Sequence, residues 1–407
     1  MNLSSEEQAM LDGSQGWAVR KAMEILAALG TIYGAERMLP ITSVQIAGVS
    51  FDNLGEAGLS FLDEMAAGGG KTRVLATLNP AGMDLENWQS LGISPEFAAN
   101  QARVLAAFTH MGVITTCSCT PYLSGNLPHY GEHIAWAESS AVCYANSVIG
   151  ARTNREGGPS ALAAALTGRT PAYGYHIAKQ RLPAVTVTVE ASEQTTGGLE
   201  QTAWFGALGK IMGEKLSAYG LRPVPYIRGI ANASLEALKS FCASLATYGG
   251  AALFHMEDVT PEAGRFSPPK ESISVTTRDV QAAAQSLMEA PAGDVDFFSL
   301  GCPHLSLIEV AHLAELLQGK KVRKEFWVTT SRPIKHIADR MGYTQVIEAS
   351  GAKFAVDTCC VVAPIRGRFQ IMATDSAKAC YYASAKNRFR TVFAPFDEVV
   401  RMALGEV

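Results

Sequence analysis

Before residue 125 the chain alternates three times between a β-branched run and a helical run closed by glycine, and this alternation constrains the fold more than any other feature. The strand-like runs are "LPITSVQIAGVSF", "KTRVLATLNPAG" and "VITTCSCTPYL". The helical runs between them are "GEAGLSFLDEMAAGGG" and "SPEFAANQARVLAAFTHMG", the latter with Ser94 as cap and Pro95 in the first turn. Two helices precede them. Ser4 or Ser5 caps the first, and the second runs from about Gln15 to Leu29 and is ended by Gly30. Strands that alternate with helices are joined by crossovers, so the pattern predicts parallel sheets with helices on their faces. "GEHIAWAESSAV" and "SALAAALTG" read as buried helices. After "LPAVTVTVEA" and the glycine-laced helix "AWFGALGKIMGEKL" the second half repeats the rhythm. The expectation is an α/β protein of two units, residues 1–205 and 206–407, with the boundary somewhere within 195–225.

In open parallel sheets ligands sit off the carboxyl ends of the strands. Those places hold Gly48-Val49-Ser50, Asn79-Pro80 and Cys117/Cys119 in the first half. In the second half Cys302 and the adjacent pair Cys359-Cys360 also follow strands, each with a proline close behind. Convergence of such loops brings thiolates together and suits a soft metal centre such as an iron–sulfur cluster. The alternative is that the cysteines fill core volume, as buried cysteines often do. Cys143, Cys242 and Cys380 fall in apolar helical patterns and read as core. No CxxC…CxxC spacing occurs, which weakens a zinc-finger reading.

Charge and hydropathy narrow the function classes. A formal net charge of −4 argues against a nucleic-acid partner. The polar, acidic start lacks the pattern of a signal peptide, and no apolar run approaches a membrane span. A cytoplasmic, reducing setting is expected, with the cysteines as free or metal-bound thiols.

The stretches "CTPYLSGNLPHYGEHIAWAESSAV", "NSVIGARTNREGGPSALAAALTGRTP", "TLNPAGMDLE", "GCPHLS" and "VDTC" together resemble the aconitase X family, over nearly the whole chain. The resemblance implies an aconitase-like arrangement of parallel-sheet α/β/α domains around an iron–sulfur site, and dehydration chemistry there. It carries the cluster-ligand positions onto Cys119, Cys302 and Cys359, with Cys360 turned elsewhere, while Cys117 reads as strand packing in preference to a spare thiol near the cluster. A four-iron, four-sulfide cluster with one open iron is expected, a two-iron form being the alternative. Substrate contacts carry over to Gly48, Val49 and Ser50 and to Asn79 and Pro80. A glycine-led turn can present N–H groups to an anion, and an asparagine both donates and accepts.

Other polar residues keep two readings. Arg155 either clamps a substrate carboxylate or pairs with Glu156 or Glu138 in the core. His133 reads as a core histidine. His304, close behind Cys302, could orient the cluster through a hydrogen bond, and Asp357 could do the same beside Cys359. Lys378 is catalytic or simply a helix-start lysine.

The family resemblance further implies a general base on a small swivelling domain, fused or separate. No candidate for it is found here, so the chain resembles a large subunit that needs a small-subunit partner and acts on a small carboxylate substrate. Of the two substrates the resemblance allows, cis-3-hydroxy-L-proline is the expectation, giving a pyrroline-2-carboxylate. The reasons are a charged fraction of 18% and no cation adjoining "GVS" or "LNP" in sequence, although Arg73 and Arg155 could supply one through space. Mevalonate 5-phosphate is the alternative, and a non-catalytic iron–sulfur sensor is a third reading.

Overall fold

The computed structural model describes residues 1–190, 201–220 and 223–406. Three parallel sheets follow one another along the chain. The first has the order Leu75–Leu78, Ser43–Ile46, Ala135–Trp136. The second has the order His255–Met256, Pro225–Arg228, Val185–Glu190, Ser272–Thr276. The third has the order Lys353–Val356, Glu325–Thr330, Phe297–Leu305, Ile371–Thr374, Arg390–Phe393. A short antiparallel pair, Met38–Pro40 with Arg169–Pro171, stands apart. The parallel α/β class expected from the alternation is the class observed. The division expected after residue 205 falls inside the helix Gln201–Leu216, which packs lengthwise on Leu235–Gly249.

Several local signals act as their chemistry dictates. Ser4 caps the helix Ser5–Leu11 in a reciprocal box with Glu7, and Ser94 caps Pro95–His110 through the Phe97 N–H. Gly30 does not end its helix, which runs Trp17–Ile32. A Cβ at Gly30 would lie 2.8 Å from the Met1 sulfur, so the glycine admits the N-terminus against the helix instead of breaking it. The run "VITTCSCTPYL" is not a strand; only Ile114 bridges to Thr77. Its backbone is diverted: Cys117 takes φ +43°, and the Ser118 N–H and Thr116 hydroxyl both bond the Leu78 carbonyl. The third strand of that sheet is Ala135–Trp136, in a segment whose apolar run reads as a helix. A short buried run cannot be assigned by periodicity alone.

Each sheet has its own apolar core. A further cluster joins the first segment to the third, with Met83, Leu91 and Ile93 against Trp327, Ala355 and Phe297. Phe297 stacks on Phe369 at 4.3 Å between centroids and meets Trp327 edge-on at 5.3 Å. Burial of Met83, Leu91 and Ile93 against those rings contributes about 1.5–3 kcal/mol each, so this seam holds the first and third sheets in fixed relation. Their strand ends are thereby set against each other. Among the described residues no helix is long and apolar enough to cross a membrane.

Candidate active site

The three cysteine loops are brought to one place. The Cys119 and Cys302 thiols each lie within electrostatic range of the other and of Cys359. Cys119 and Cys359 are buried and Cys302 is the most accessible of the three. One imidazole touches all three loops: His304, two residues beyond Cys302, contacts the Ser118 hydroxyl at 3.3 Å and the Thr358 carbonyl at 3.0 Å. Its backbone N–H donates to the Cys119 sulfur at 3.2 Å. Gly301 is required in this strap. It has φ +105°, and a Cβ there would lie 2.1 Å from the Thr329 carbonyl oxygen.

The remaining cysteines separate as expected. Cys360 turns away into the apolar seam and bonds Ser299. Cys117 belongs to the first core, Cys143 and Cys242 contact each other in the second, and Cys380 is buried with them.

The substrate-contact candidates lie against the same place. Gly48, at φ +79°, is exposed and leads the turn from the strand Ser43–Ile46 into the helix Phe51–Ala67. Ser50 caps that helix, and its hydroxyl donates to the Val362 carbonyl at 3.1 Å, just past Cys359. The Ala81 N–H bonds the Asp357 carbonyl, so the Asn79-Pro80 loop also touches the Cys359 loop. Val49 and Pro80 are buried. Asn79 is half-buried, and its side-chain oxygen has no partner. A buried acceptor without a donor is costly in an empty site and is satisfied when a donor binds.

Sequence reasoning passed over two glutamines that hold this frame. Gln101 Nε2 donates to the Val49 carbonyl, and its Oε1 accepts from the Phe51 and Gly82 N–H groups. Gln45 Nε2 donates to the Ser118 carbonyl while its Oε1 accepts from the Glu138 N–H. The available signal was a polar residue inside an apolar strand, "SVQIAG", since buried amides are kept only when fully bonded.

Lys378 and Glu138 form a buried ion pair at 2.5 Å between the helix Ala377–Tyr382 and the cap of Ser139–Tyr144. Glu138 also accepts from the Ser140 hydroxyl and the Ala141 N–H. Burial opposes both charges, yet the pairing keeps Lys378 protonated and Glu138 ionised. Lys378 sits in the first turn of the helix Ala377–Tyr382, buried and within electrostatic range of Cys119 and Cys302. Arg155 is exposed, while Glu138 is taken by Lys378 and Glu156 bonds Ser160. The core pairings considered for Arg155 are therefore not formed. It lines, with Gly48, Ala137, Glu156 and the Gly157-Gly158 turn, a cavity of about 650 Å³ at the carboxyl edge of the first sheet. Asp357, at φ +64°, faces Arg332 rather than Cys359. Arg332 also binds Asp84 at 3.0 Å and Glu86 at 2.8 Å, and Asp84 accepts from the Val356 N–H, which clamps the Cys359 loop to the first segment.

The donor set fits a soft, polynuclear group. Burial pushes all three thiols up, Cys302 to about 12, so they need a bound cation to exist as thiolates. Among the described residues no three His, Cys, Asp or Glu side chains converge on a single ion. Thiolates on different irons of one cluster stand farther apart than ligands of one ion, which is compatible with these loops.

His133 lies outside this site. It is half-buried, with Nδ1 3.0 Å from His176 Nδ1. Burial, with His133, Arg181 and Arg152 nearby, holds His176 down at about 3, against 6.5 in the unfolded chain. Between those values the unfolded state binds the extra proton. Stability should then be complete above pH 6.5 and fall by about 1.4 kcal/mol per unit as the pH drops toward 3. Urea midpoints at pH 7 and pH 5 test this: His176→Phe should flatten the difference, and an unchanged slope would refute the assignment.

Comparison with known proteins came down on one family. Models of the aconitase X first, second and third domains match residues 1–179, 183–285 and 295–405. The chain is 45% identical to the phosphomevalonate dehydratase large subunit of Methanothermobacter thermautotrophicus, covering 98% of each. It is 32% identical to the cis-3-hydroxy-L-proline dehydratase of Pseudomonas aeruginosa, covering 99% of this chain but 70% of that one. It superposes on the crystal structure of Thermococcus kodakaraensis aconitase X in its holo form with a TM-score of 0.91, at 41% identity, covering 99% of this chain and all of that one.

Proposed function

The chain belongs to the aconitase X family of hydro-lyases, and on that premise we propose that it is the large subunit of a mevalonate 5-phosphate dehydratase. The observation that carries this is the contrast between relatives. Four large subunits named for phosphomevalonate match at 43–45% identity and a fifth at 34%, each over nearly the whole of both chains. The hydroxyproline enzymes match at 31–32%, and the match leaves about a third of each of them uncovered. The contrast favours the mevalonate 5-phosphate alternative over the hydroxyproline expectation, and membership of a hydro-lyase family speaks against the non-catalytic sensor. The sequence left open that Arg73 or Arg155 supplies a cation through space. Adjacency along the chain is not adjacency in space, and Arg155 shares a cavity wall with Gly48 despite lying over a hundred residues away.

In this reading Cys119, Cys302 and Cys359 hold an iron–sulfur cluster, which when bound supplies a Lewis-acidic iron for a leaving hydroxyl. The Gly48–Ser50 turn and Arg155 receive the anionic end of the substrate. Asn79 Oδ1 accepts from a substrate hydroxyl. Lys378 Nζ spends one proton on Glu138 and keeps others for donation beside the thiols. The base that removes the carbon-bound proton belongs to a separate small subunit, in keeping with the relatives named large subunits.

The test is anaerobic assay of the chain with and without a candidate small subunit. The expected result is turnover of mevalonate 5-phosphate only with both chains, at least about a hundredfold faster than cis-3-hydroxy-L-proline. Preference for the hydroxyproline would overturn the substrate assignment.

A further inference from the structure

His304 is bonded to all three family domains at once. It is fully buried in the third. Its carbonyl accepts from Lys239 Nζ of the second domain at 3.0 Å, and Lys239 is itself paired with Glu309. Its backbone N–H donates to Cys119 of the first.

The ring's protonation follows from its partners. Thr358 offers a carbonyl, which only accepts, so Nε2 carries the hydrogen and donates to it. Nδ1 is then bare and accepts from the Ser118 hydroxyl. Ser118, having spent its proton, accepts from the Thr120 N–H and hydroxyl, both at 3.1 Å. The result is one directed chain: Thr120 to Ser118 to His304 to Thr358. It starts in the loop of Cys119 and ends at the residue before Cys359. The ring that joins them sits two residues past Cys302.

The geometry assigns His304 as the positioning residue that fastens the three cysteine loops to one another before any cluster is bound. This rests on the reading of those cysteines as cluster ligands only for its purpose; the fastening itself belongs to the cluster-free chain. A preformed cradle accepts a cluster without having to order three distant loops at the moment of binding.

Hydrogen exchange on the cluster-free, full-length chain tests this with peptides covering residues 116–124 and 357–365. His304→Phe keeps the ring volume and loses both bonds, so both peptides should exchange about tenfold faster or more. An asparagine amide sits at the level of Nδ1 and a glutamine amide at that of Nε2. His304→Asn should therefore loosen only 357–365, and His304→Gln only 116–124. Ser118→Ala should loosen 116–124 alone, and it answers the question even if the Phe variant does not fold. The strand Val185–Glu190 serves as the unaffected control. A space-filling role predicts the reverse, with Phe tolerated and Asn not, and that outcome would overturn the assignment. So would identical patterns for Asn and Gln. Cluster uptake on anaerobic reconstitution should slow about tenfold in His304→Phe, and an unchanged rate would also overturn it. Should the wild-type chain take up no cluster, the dehydratase reading fails, while the exchange pattern still decides the role of His304.

Discussion

Lys378→Met is expected to destabilise the cluster-free chain by about 3–5 kcal/mol and to lower dehydratase turnover by about 10²–10³-fold in the assembled enzyme. Glu138 is 5% exposed and Lys378 8%, so removal of one partner leaves a charge in a medium that cannot solvate it. Glu138 retains its bonds from Ser140 and Ala141 in that variant, but these do not neutralise it. Glu138→Gln should show the converse defect, an ammonium with no counter-ion beside the thiols. The double variant should lose less stability than the two single losses combined, because replacement of a whole buried pair is far cheaper than breaking it. Turnover should not recover in the double variant. Urea unfolding of the three variants under anaerobic conditions measures the first part. Additive stability losses would show that the two side chains do not act as a pair.

The parallel α/β class was legible because strand and helix patterns alternate cleanly around Ser43–Ile46, Leu75–Leu78 and Pro95–His110. The strand-end loops at Gly48 and Asn79 were legible for the same reason, whereas Cys302 does not follow its strand but lies within Phe297–Leu305, at a break in the pairing between Leu300 and Leu305. The short strand Ala135–Trp136 was not legible, since two residues carry no period. Nor was the bend at Cys117, where backbone bonds to Leu78 override β-branched propensity. The polar frame of the site was the least readable part. Glu138 and Lys378 are 240 positions apart, and Asp84 and Arg332 are 248 apart. A lone charge in an apolar run says that a partner is needed, not where it lies. His304 was singled out by its closeness to Cys302, but its bonds to Ser118 and Thr358 exist only in three dimensions. Whether a cation reaches the Gly48 turn through space was left open by the sequence, since Arg155 and Gly48 are distant along the chain and share a cavity only in three dimensions.

The cysteine assignment has the largest consequence, since three of eight thiols are given one task and five are not. Cys119, Cys302 and Cys359 meet across His304, whereas Cys117 packs in the first core and Cys360 turns into the seam between sheets. Single serine replacements therefore divide into two groups. The first three remove a soft ligand that an alcohol cannot replace at neutral pH. The other two cost only packing. The most direct measurement is iron and acid-labile sulfide per chain after anaerobic reconstitution, alongside the visible spectrum. The predicted result is a brown wild-type chain with stoichiometric iron and sulfide, matched by Cys117→Ser and Cys360→Ser. Cys119→Ser, Cys302→Ser and Cys359→Ser should be colourless or unstable to iron loss. A colourless wild-type chain without sulfide, or equal loss across all five variants, would contradict the account.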